Sequence, residues 1–513
     1  MKKIFILFMG ISFIGCSKEF LEKDSLTQIA DANFWQTEQD VQLGINGVYD
    51  ALQDRALYSG NLNATAGLPM YDCLGDNLHN NYKWEGPGNF MIGIIDPTHA
   101  MFRTLWSASY RGIGRANTAI ANIEKMPVSA IGQDKKNGYL GQALFLRALF
   151  YFNLAVYFED VPLITKVQAL EDAYVPKNTY QEVSVQIIKD LNDAAALLPV
   201  SYPSTQYGYA TRGAALGLLA RFHMYNKNYQ GALDATSSLL SLGYSLNPSY
   251  AQLFTEQGEL SREIVFSVRF NQDVSNNGET FSATFLGAPK IDQNPMPNMV
   301  REYNCTDGRP ITTSPLYNAN NPKANRDPRL AASVFFRNDI FLTDLNRAFT
   351  GNTPTTFGLR KYARTSSVSG TGIQAFNPGG QDFIVIRYAD ILLMRAEALI
   401  ELGQLTPEVY NLINQVRSRV SMPTVQSVEG ASLSQAALRD VLRKERRVEL
   451  AFEGLRYFDL KRWGQVQNAF NTARLDNVAN YAVIYLPGKA EVFPIPLDEL
   501  NVNSKLVQHP AWQ

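Results

Sequence analysis

The sequence predicts a mainly α-helical fold with long loop insertions and a few short strands. Apolar residues recur every three or four positions over residues 101–126, which is the spacing of one helix face. Residues 138–158 are apolar almost all round, as in a helix that packs on several sides. Segments 271–330 and 350–382 are instead rich in residues such as Asn, Pro, Gly, Ser and Thr, which is typical of irregular structure between helical blocks.

Three helices are expected in the first half of the chain. The stripe of the first includes Trp106 and Tyr110, so we expect both rings to lie in the core. The second helix must end before Pro162, because a residue that precedes proline is biased away from helical backbone. A third amphipathic pattern covers 179–198 and is closed by Pro199.

Two helical hairpins follow in the sequence. One joins a helix over 212–221 to a helix within 226–242, and the other joins the region of 396–399 to 406–420. Small residues allow the two helices of a hairpin to approach closely, and an aromatic residue near the turn fills the remaining space. This pattern resembles a tetratricopeptide hairpin, and several such pairs favour a helical-repeat scaffold over unrelated helix pairs.

Two short strands are expected between and after the helical blocks. Residues 263–270 alternate between apolar and polar side chains, as a half-buried strand does. Residues 383–387 form a short apolar run that leads into the next helix. The long irregular segments around these strands are typical of functional loops.

Composition argues against several classes of function. Lys and Arg total 47 against 48 Asp and Glu, which argues against a general binder of nucleic-acid phosphates. There are 4 His and 3 Cys, and no HExxH, CxxC, GxSxG or P-loop motif occurs. The charged run 439–449 places Asp440 near Lys444 and Glu449 near Arg446 at helical spacing. Such neighbours lower carboxylate pKa values, so we interpret this run as a structural ion network rather than a catalytic site.

The N-terminus has the pattern of an export signal. A basic start precedes an apolar run over 4–14 that is too short to span a membrane. The small residue before Cys16 resembles the end of a bacterial lipobox, so we expect Cys16 to carry a lipid anchor after removal of residues 1–15. An ordinary signal peptide is the alternative. The sequence leaves open whether Cys73 and Cys305 form a disulfide.

Residues 71–90 combine aromatic rings with Asp and Asn side chains in a Gly-rich context. A sugar presents an apolar C–H face on which rings stack and a rim of hydroxyls that Asp, Asn and Arg bind. Trp84 is the strongest candidate, because the Gly and Pro residues beside it indicate an exposed turn. The alternative is that these rings close the core beneath the loop. With three residues of segment 271–330, the candidate ligand-binding residues are Asp76, Asn77, Tyr82, Trp84, Phe90, Phe281, Arg301 and Tyr303.

A set of longer motifs runs through nearly the whole chain. In the C-terminal part they are Arg326-Asp327-Pro328-Arg329-Leu330, Ile386–Ala398, Ile413–Arg419, Glu445–Gly464 and the end from Phe493 to Trp512. In the N-terminal part they are Trp106…Tyr110…Ile113…Asn117, Arg147-Ala148…Tyr151-Phe152 and Val161-Pro162-Leu163. In these motifs and their order the chain resembles the SusD/RagB family of outer-membrane nutrient-binding lipoproteins. Glu159 stands where the family commonly has Gly.

The resemblance implies a tetratricopeptide-like scaffold with a ligand site built by inserted loops. It also implies a lipoprotein on the cell exterior that forms a lid on a SusC-like TonB-dependent transporter. The usual ligand of the family is an oligosaccharide, and some members handle peptides. The motifs do not reach the binding loops, so no binding residue carries over from the family. The expected organisation is a signal peptide (1–15), a lipidated lead-in (16–40), an N-terminal helical region that holds the binding loop (41–262) and a C-terminal region with variable loops (263–513).

We therefore expect a non-enzymatic glycan-binding lipoprotein with no cofactor, metal site or nucleic-acid partner. A peptide-binding member of the same family is one alternative. A secreted glycoside hydrolase is another, and it requires two facing carboxylates in a cleft, one of them with a raised pKa. A periplasmic helical-repeat scaffold is the third, and it predicts no small ligand.

Overall fold

The computed structural model describes residues 34–60, 66–286, 293–366, 378–479 and 481–513. The predicted signal peptide and Cys16 lie outside these ranges, as does most of the expected lead-in. The chain is mainly helical, as the sequence predicts. The α-helices are α1 (Glu38–Leu52), α2 (Gly86–Met91), α3 (Ala100–Lys125), α4 (Val128–Ile131), α5 (Gln133–Phe158), α6 (Tyr180–Leu197), α7 (Arg212–Tyr225), α8 (Tyr229–Leu240), α9 (Tyr250–Leu253), α10 (Phe281–Leu286), α11 (Pro297–Glu302), α12 (Pro328–Ser333), α13 (Tyr388–Glu401), α14 (Pro407–Arg419), α15 (Val425–Glu429), α16 (Gln435–Glu449), α17 (Arg456–Trp463), α18 (Val466–Leu475) and α19 (Leu497–Val502).

The strands of the described residues are short and form antiparallel pairs. They are β1 (Leu78–Asn80), β2 (Ile264–Val268), β3 (Gln293–Pro295), β4 (Val334–Phe335), β5 (Ile340–Leu342), β6 (Arg347–Ala348), β7 (Gly358–Leu359) and β8 (Phe383–Arg387). The pairs are β1 with β3, β2 with β8, β4 with β7, and β5 with β6. The two strands predicted from sequence are β2 and β8, and the structure shows that they pair with each other.

Helix α5 lies at the centre of the core. It packs on α3 and α6, and nearly all of its side chains from Gly141 to Phe158 are buried. Gly112 of α3 allows this close packing, because a Cβ atom there would lie 2.2 Å from the Phe150 ring. Within the described residues, α5 alone is long and apolar enough to match a membrane span, and its burial is that of a core helix.

The predicted helical hairpins are present. Helix α7 packs on α8, α13 packs on α14, and α8 also contacts α13, so the two hairpins adjoin. Trp106 is buried, as predicted. Tyr110 is partly buried against the core, and its ring contacts the Trp106 ring. Helix α6 begins with a capping box between Thr179 and Glu182, which satisfies backbone donors of its first turn.

A buried ion network connects β8 to the C-terminal helices. Arg387 donates to Glu263, Glu449 and Glu453 at 2.9, 2.6 and 2.7 Å. Glu449 also pairs with Arg329 and Arg419. Burial alone would raise the pKa of Glu449, but the guanidinium groups around it outweigh burial and hold that pKa well below its usual value. The ion network predicted for 439–449 is therefore confirmed.

The predicted partners within that run are wrong. Arg446 donates to Asp390 and Asp459 rather than to Glu449. Lys444 lies 3.6 Å from Glu302. Glu445, Arg446 and Glu449 of this helix are buried, and they reach partners on other elements because a buried charge requires a full set of partners.

Glu159 ends α5 in a backbone conformation that suits glycine. Its φ is 64° and its ψ is −92°, a region in which a Cβ atom is crowded. We expect the unfolding free energy of Glu159→Gly to be about 1 kcal/mol higher than that of Glu159→Ala. Chemical denaturation of the two variants measures the difference. Both variants lose the contacts of Glu159 with Lys461 and His509, so their comparison isolates the backbone. Equal stability of the two variants would contradict this account.

Candidate functional site

The β1–β3 ribbon brings together the two segments that supply the candidate residues, 71–90 and 271–330. Leu78, His79 and Asn80 pair with Pro295, Asn294 and Gln293. The 71–90 segment thereby lies beside the start of α11. Arg447 bridges them on another side, since it donates to Asn77 Oδ1 at 3.0 Å and to Asn298 Oδ1.

The turn that carries Trp84 is held by side-chain hydrogen bonds. Asn80 Nδ2 donates to the Tyr82 carbonyl at 2.7 Å and to the buried Glu85 carboxylate at 3.1 Å. Asn89 Nδ2 donates to the Trp84 carbonyl at 3.4 Å. Gly88 allows the turn to close, because a Cβ atom there would lie 2.5 Å from the Tyr82 carbonyl oxygen. The backbone beneath Trp84 is therefore fixed on both sides.

Trp84 and Tyr82 form the exposed aromatic pair of this turn. The Trp84 side chain is 51% exposed, and Tyr82 is partly exposed. Their ring centroids are 6.0 Å apart, with the planes tilted by 56°. Two rings on a fixed turn offer stacking surface to a ligand at low conformational cost.

Asp76 and Asn77 lie in a buried polar cluster beneath the turn. Arg456 donates to both Asp76 oxygens at 2.8 and 3.0 Å, and Arg447 lies 3.0 Å from the same carboxylate. Burial alone would raise the pKa of Asp76, but the two guanidinium groups outweigh it, so that pKa lies below its usual value. Asn77 donates to Asp72 at 3.1 Å. These side chains are enclosed and position the ribbon, so the expectation that they contact a ligand directly does not fit their burial.

Three candidate aromatic residues belong to the core. Phe90 packs against Tyr457, Phe470 and Phe493, and Phe281 packs against a separate group of rings that includes Phe383. Phe281 and Tyr303 have no exposed surface, and Phe90 has almost none. For these three, the alternative of rings that close the core describes the structure, because an enclosed ring has no face to offer a ligand.

Arg301 remains at the surface on α11. Its side chain is 55% exposed, and its guanidinium pairs with Asp476 at 2.5 Å. Asp476 also accepts from the backbone and side-chain nitrogens of Asn298 at 2.7 Å. The Asp476 carboxylate therefore orients the Arg301 guanidinium, while part of the Arg301 side chain remains exposed to solvent. Of the eight candidates, Tyr82, Trp84 and Arg301 keep exposed surface.

The ribbon also carries polar groups that sequence reasoning missed. Within the described residues, both side-chain amide atoms of Gln293 and of Asn294 are buried without a hydrogen-bond partner, as is His79 Nδ1. Each such group costs about 1–3 kcal/mol, so their concentration indicates a functional constraint on this ribbon. The pattern of apolar and polar residues along the sequence does not identify these buried polar groups, because their burial depends on the pairing of β1 with β3.

We expect Gln293→Met to raise the unfolding free energy by about 1 kcal/mol. Met has a similar volume and removes the unsatisfied buried amide, so stability rises. Chemical denaturation of wild type and variant measures the effect. Gln142→Met is the control, because the Gln142 amide is buried but bonded to Tyr49 and Tyr202, and its loss is expected to destabilise.

Two carboxylates with raised pKa values are Asp382, which directly precedes β8, and Glu259, which lies in the loop before β2. Burial raises the pKa of Asp382 to about 7, and burial together with Asp382 raises the pKa of Glu259 to about 8. The Asp382 carboxylate accepts from the Phe270 backbone nitrogen at 3.0 Å, and the Asp382 backbone nitrogen donates to Glu259 at 2.9 Å. The Asp382 side chain is nearly fully buried and is hydrogen-bonded to the segment that follows β2. It therefore links the β2 and β8 segments and does not face a cleft.

A pH-dependent stability follows from this pair. The folded state holds the Asp382 proton more tightly than the unfolded state does, so Asp382 lowers stability progressively as pH rises from about 4 to about 7. We expect Asp382→Asn to gain stability relative to wild type as pH rises over that window, by about 1–3 kcal/mol. Denaturation of both proteins at pH 5 and pH 8 measures the change. A difference that stays constant with pH would contradict it.

Cys73 and Cys305 are both buried and do not form a disulfide with each other. This answers the question that the sequence left open about Cys73 and Cys305. Among the residues that the structure describes, no three His, Cys, Asp or Glu side chains form a group that could hold a metal ion.

Comparison with known families gives two matches that together span most of the chain. Residues 262–512 match the model described as "SusD family". Residues 19–224 match the model described as "Starch-binding associating with outer membrane". Two SusD-like proteins of Formosa agariphila are similar along their lengths: P38 is 28% identical, with 89% of this chain and 90% of P38 covered, and P25 is 27% identical, with 99% and 98% covered.

Solved structures agree with these matches. A SusD-like carbohydrate binding protein from Bacteroides fragilis superimposes with a TM-score of 0.79 at 26% identity, over 92% of this chain and all of that one. A laminarin binding SusD-like protein superimposes with a TM-score of 0.73 at 25% identity, over 93% of this chain and 99% of that one. The helical scaffold described above is thus shared with proteins that bind carbohydrate.

Proposed function

The chain belongs to the SusD family, and we propose from this premise that it is a lipid-anchored, surface-exposed oligosaccharide-binding protein. It captures a glycan outside the cell and passes it to a TonB-dependent transporter in the outer membrane. Cys16 is the lipid anchor in this proposal, and the protein binds its ligand without chemical turnover.

The observation that carries the proposal is the exposed Trp84 on a turn whose backbone is fixed. The half-exposed indole presents a flat apolar face to solvent, and the fixed turn holds that face in place for stacking on a ligand. The neighbouring Tyr82 ring and the oriented Arg301 guanidinium supply a second stacking surface and hydrogen-bond donors. The shared fold with carbohydrate-binding relatives supports the same class of ligand.

Titration against soluble neutral glycans tests the binding proposal. We expect heat of binding with at least one of laminarin, maltohexaose, xylohexaose or mannohexaose, and no new reducing ends after prolonged incubation. Release of reducing ends would favour the hydrolase alternative. Displacement of the glycan by short peptides at equal concentration would favour a peptide-binding member.

Location and delivery require a separate experiment in intact cells. External protease is expected to digest the wild-type protein, and Cys16→Ser is expected to release it from the membrane fraction. Affinity purification from detergent-solubilised membranes is expected to recover a TonB-dependent transporter with it. Full protection from external protease would instead indicate an inward-facing protein.

A further inference from the structure

We propose a second oligosaccharide site in the cleft around the loop 201–209, here called the tyrosine cleft. This inference rests on the proposed function for the class of ligand. Three depressions of about 610, 510 and 510 Å³ adjoin at this loop, and all three share Gln206 and Tyr209. Each is within the usual size of a ligand pocket. Their lining residues do not include any of the turn that carries Trp84.

Three partly exposed tyrosine rings form the floor of the cleft. The Tyr209 ring lies 5.4 Å from the Tyr49 ring and 5.8 Å from the Tyr202 ring, measured between centroids. All three rings are partly exposed, and one or more of them line each of the three depressions. The Tyr49 and Tyr202 ring planes are inclined to the Tyr209 ring by 48° and 70°, so each ring offers its own face to the apolar C–H face of one sugar unit.

The rings are held in place through their hydroxyl groups. The buried Gln142 accepts from Tyr49 at 3.1 Å and donates to Tyr202 at 3.1 Å. Tyr209 donates to Asn46 Oδ1 at 2.9 Å. Because these contacts already fix the rings, the binding of a ligand that stacks on them costs little conformational entropy of the tyrosine side chains.

The rim of the cleft is polar and nearly balanced in charge. In the first depression the charged residues are Glu38, Asp134, Lys135 and Arg212, and in the second they are Asp50 and Arg269. Amide side chains of Gln42, Asn46, Asn137, Gln206 and Asn277 stand between them. With Arg262 of the third depression the cleft has three acidic and four basic residues, and this near balance favours a neutral ligand over a phosphate or a polyanion. Amides suit hydroxyl groups, which both donate and accept.

The third depression continues the cleft toward β2. Tyr207 forms its wall, with one ring face covered by the Arg269 guanidinium at 4.9 Å and its hydroxyl donating to the Glu259 carbonyl. Tyr207 therefore bounds the cleft rather than forming part of its floor. Three adjoining depressions along one tyrosine floor fit an extended chain of several sugar units.

The test uses five versions of the full mature protein: wild type, Trp84→Ala, Tyr209→Ala, the double variant and the control Tyr174→Ala. Tyr174 is also half exposed and does not line the cleft. Affinity electrophoresis in gels that contain laminarin, soluble starch, xylan or mannan measures binding. For the glycan that wild type binds, we expect Tyr209→Ala to weaken binding roughly fivefold to tenfold and the double variant to be weaker than either single variant. Tyr174→Ala is expected to match wild type.

Gln206→Ala provides a second variant that spares the core, because the Gln206 side chain is exposed. We expect it to weaken binding in the same direction with an unchanged unfolding midpoint. Wild-type binding by both Tyr209→Ala and Gln206→Ala, with a loss in Trp84→Ala, would overturn the tyrosine cleft and leave the proposed function standing. If wild type binds no glycan of the panel, the proposed function fails and this inference fails with it.

Discussion

Glu449→Gln is expected to lower the unfolding free energy by about 3–5 kcal/mol. Glu449 is fully buried and accepts from Arg387 at 2.6 Å, from Arg329 at 2.9 Å and from Arg419 at 2.5 Å. Gln keeps the shape of the side chain but removes the negative charge that balances three guanidinium groups. The cost comes chiefly from the positive charges that remain buried with less compensation, because returning them to water requires unfolding.

Chemical denaturation of wild type and variant measures this cost. Glu408→Gln is the matched control, since Glu408 pairs with Arg395 at 2.6 Å but is 43% exposed. An exposed pair contributes about 0–1 kcal/mol, so the control is expected to stay close to wild type. Equal effects of the two substitutions would show that burial does not determine the strength of these pairs.

The helices of this fold could be predicted from sequence because their signals are local. A run that is apolar almost all round, together with Pro162, predicted the central helix, and small residues with an aromatic residue near the turn predicted the hairpins around α7 and α13. The ion partners could not be predicted in the same way. Glu449 lies 62 residues from Arg387 and 120 from Arg329 in sequence, and helical spacing predicted Arg446 instead. Long-range partners depend on how elements pack, which local spacing does not describe.

The candidate site also combines features that the sequence predicts with features that depend on long-range packing. Its location in two irregular segments followed from composition, and the β1–β3 ribbon does join those segments. Which rings point outward did not follow. Trp84 and Phe90 are six positions apart in one Gly-rich stretch, yet Trp84 is half exposed and Phe90 packs against Phe493. Phe90 lies on the face of α2 that packs against the C-terminal segment. Its burial therefore depends on a contact between residues about 400 positions apart in the sequence.

Trp84→Ala is expected to weaken oligosaccharide binding at least tenfold, which corresponds to about 1.4 kcal/mol. The indole supplies the largest exposed ring of the candidate site, and its removal leaves Tyr82 without its neighbour. Calorimetric titration with the glycan that wild type binds measures the loss. Tyr174→Ala, which removes a ring of equal exposure on another surface, is expected to bind as wild type does.

The unfolding midpoint of Trp84→Ala decides how a loss of binding is to be understood. Because the indole is half exposed, its removal opens little cavity, and the midpoint is expected to stay near that of wild type. A loss of affinity at unchanged stability then requires direct contact between the ring and the ligand. Full affinity in Trp84→Ala would instead remove this turn from the site, and Arg301→Ala would next test whether the α11 side of the ribbon binds the glycan.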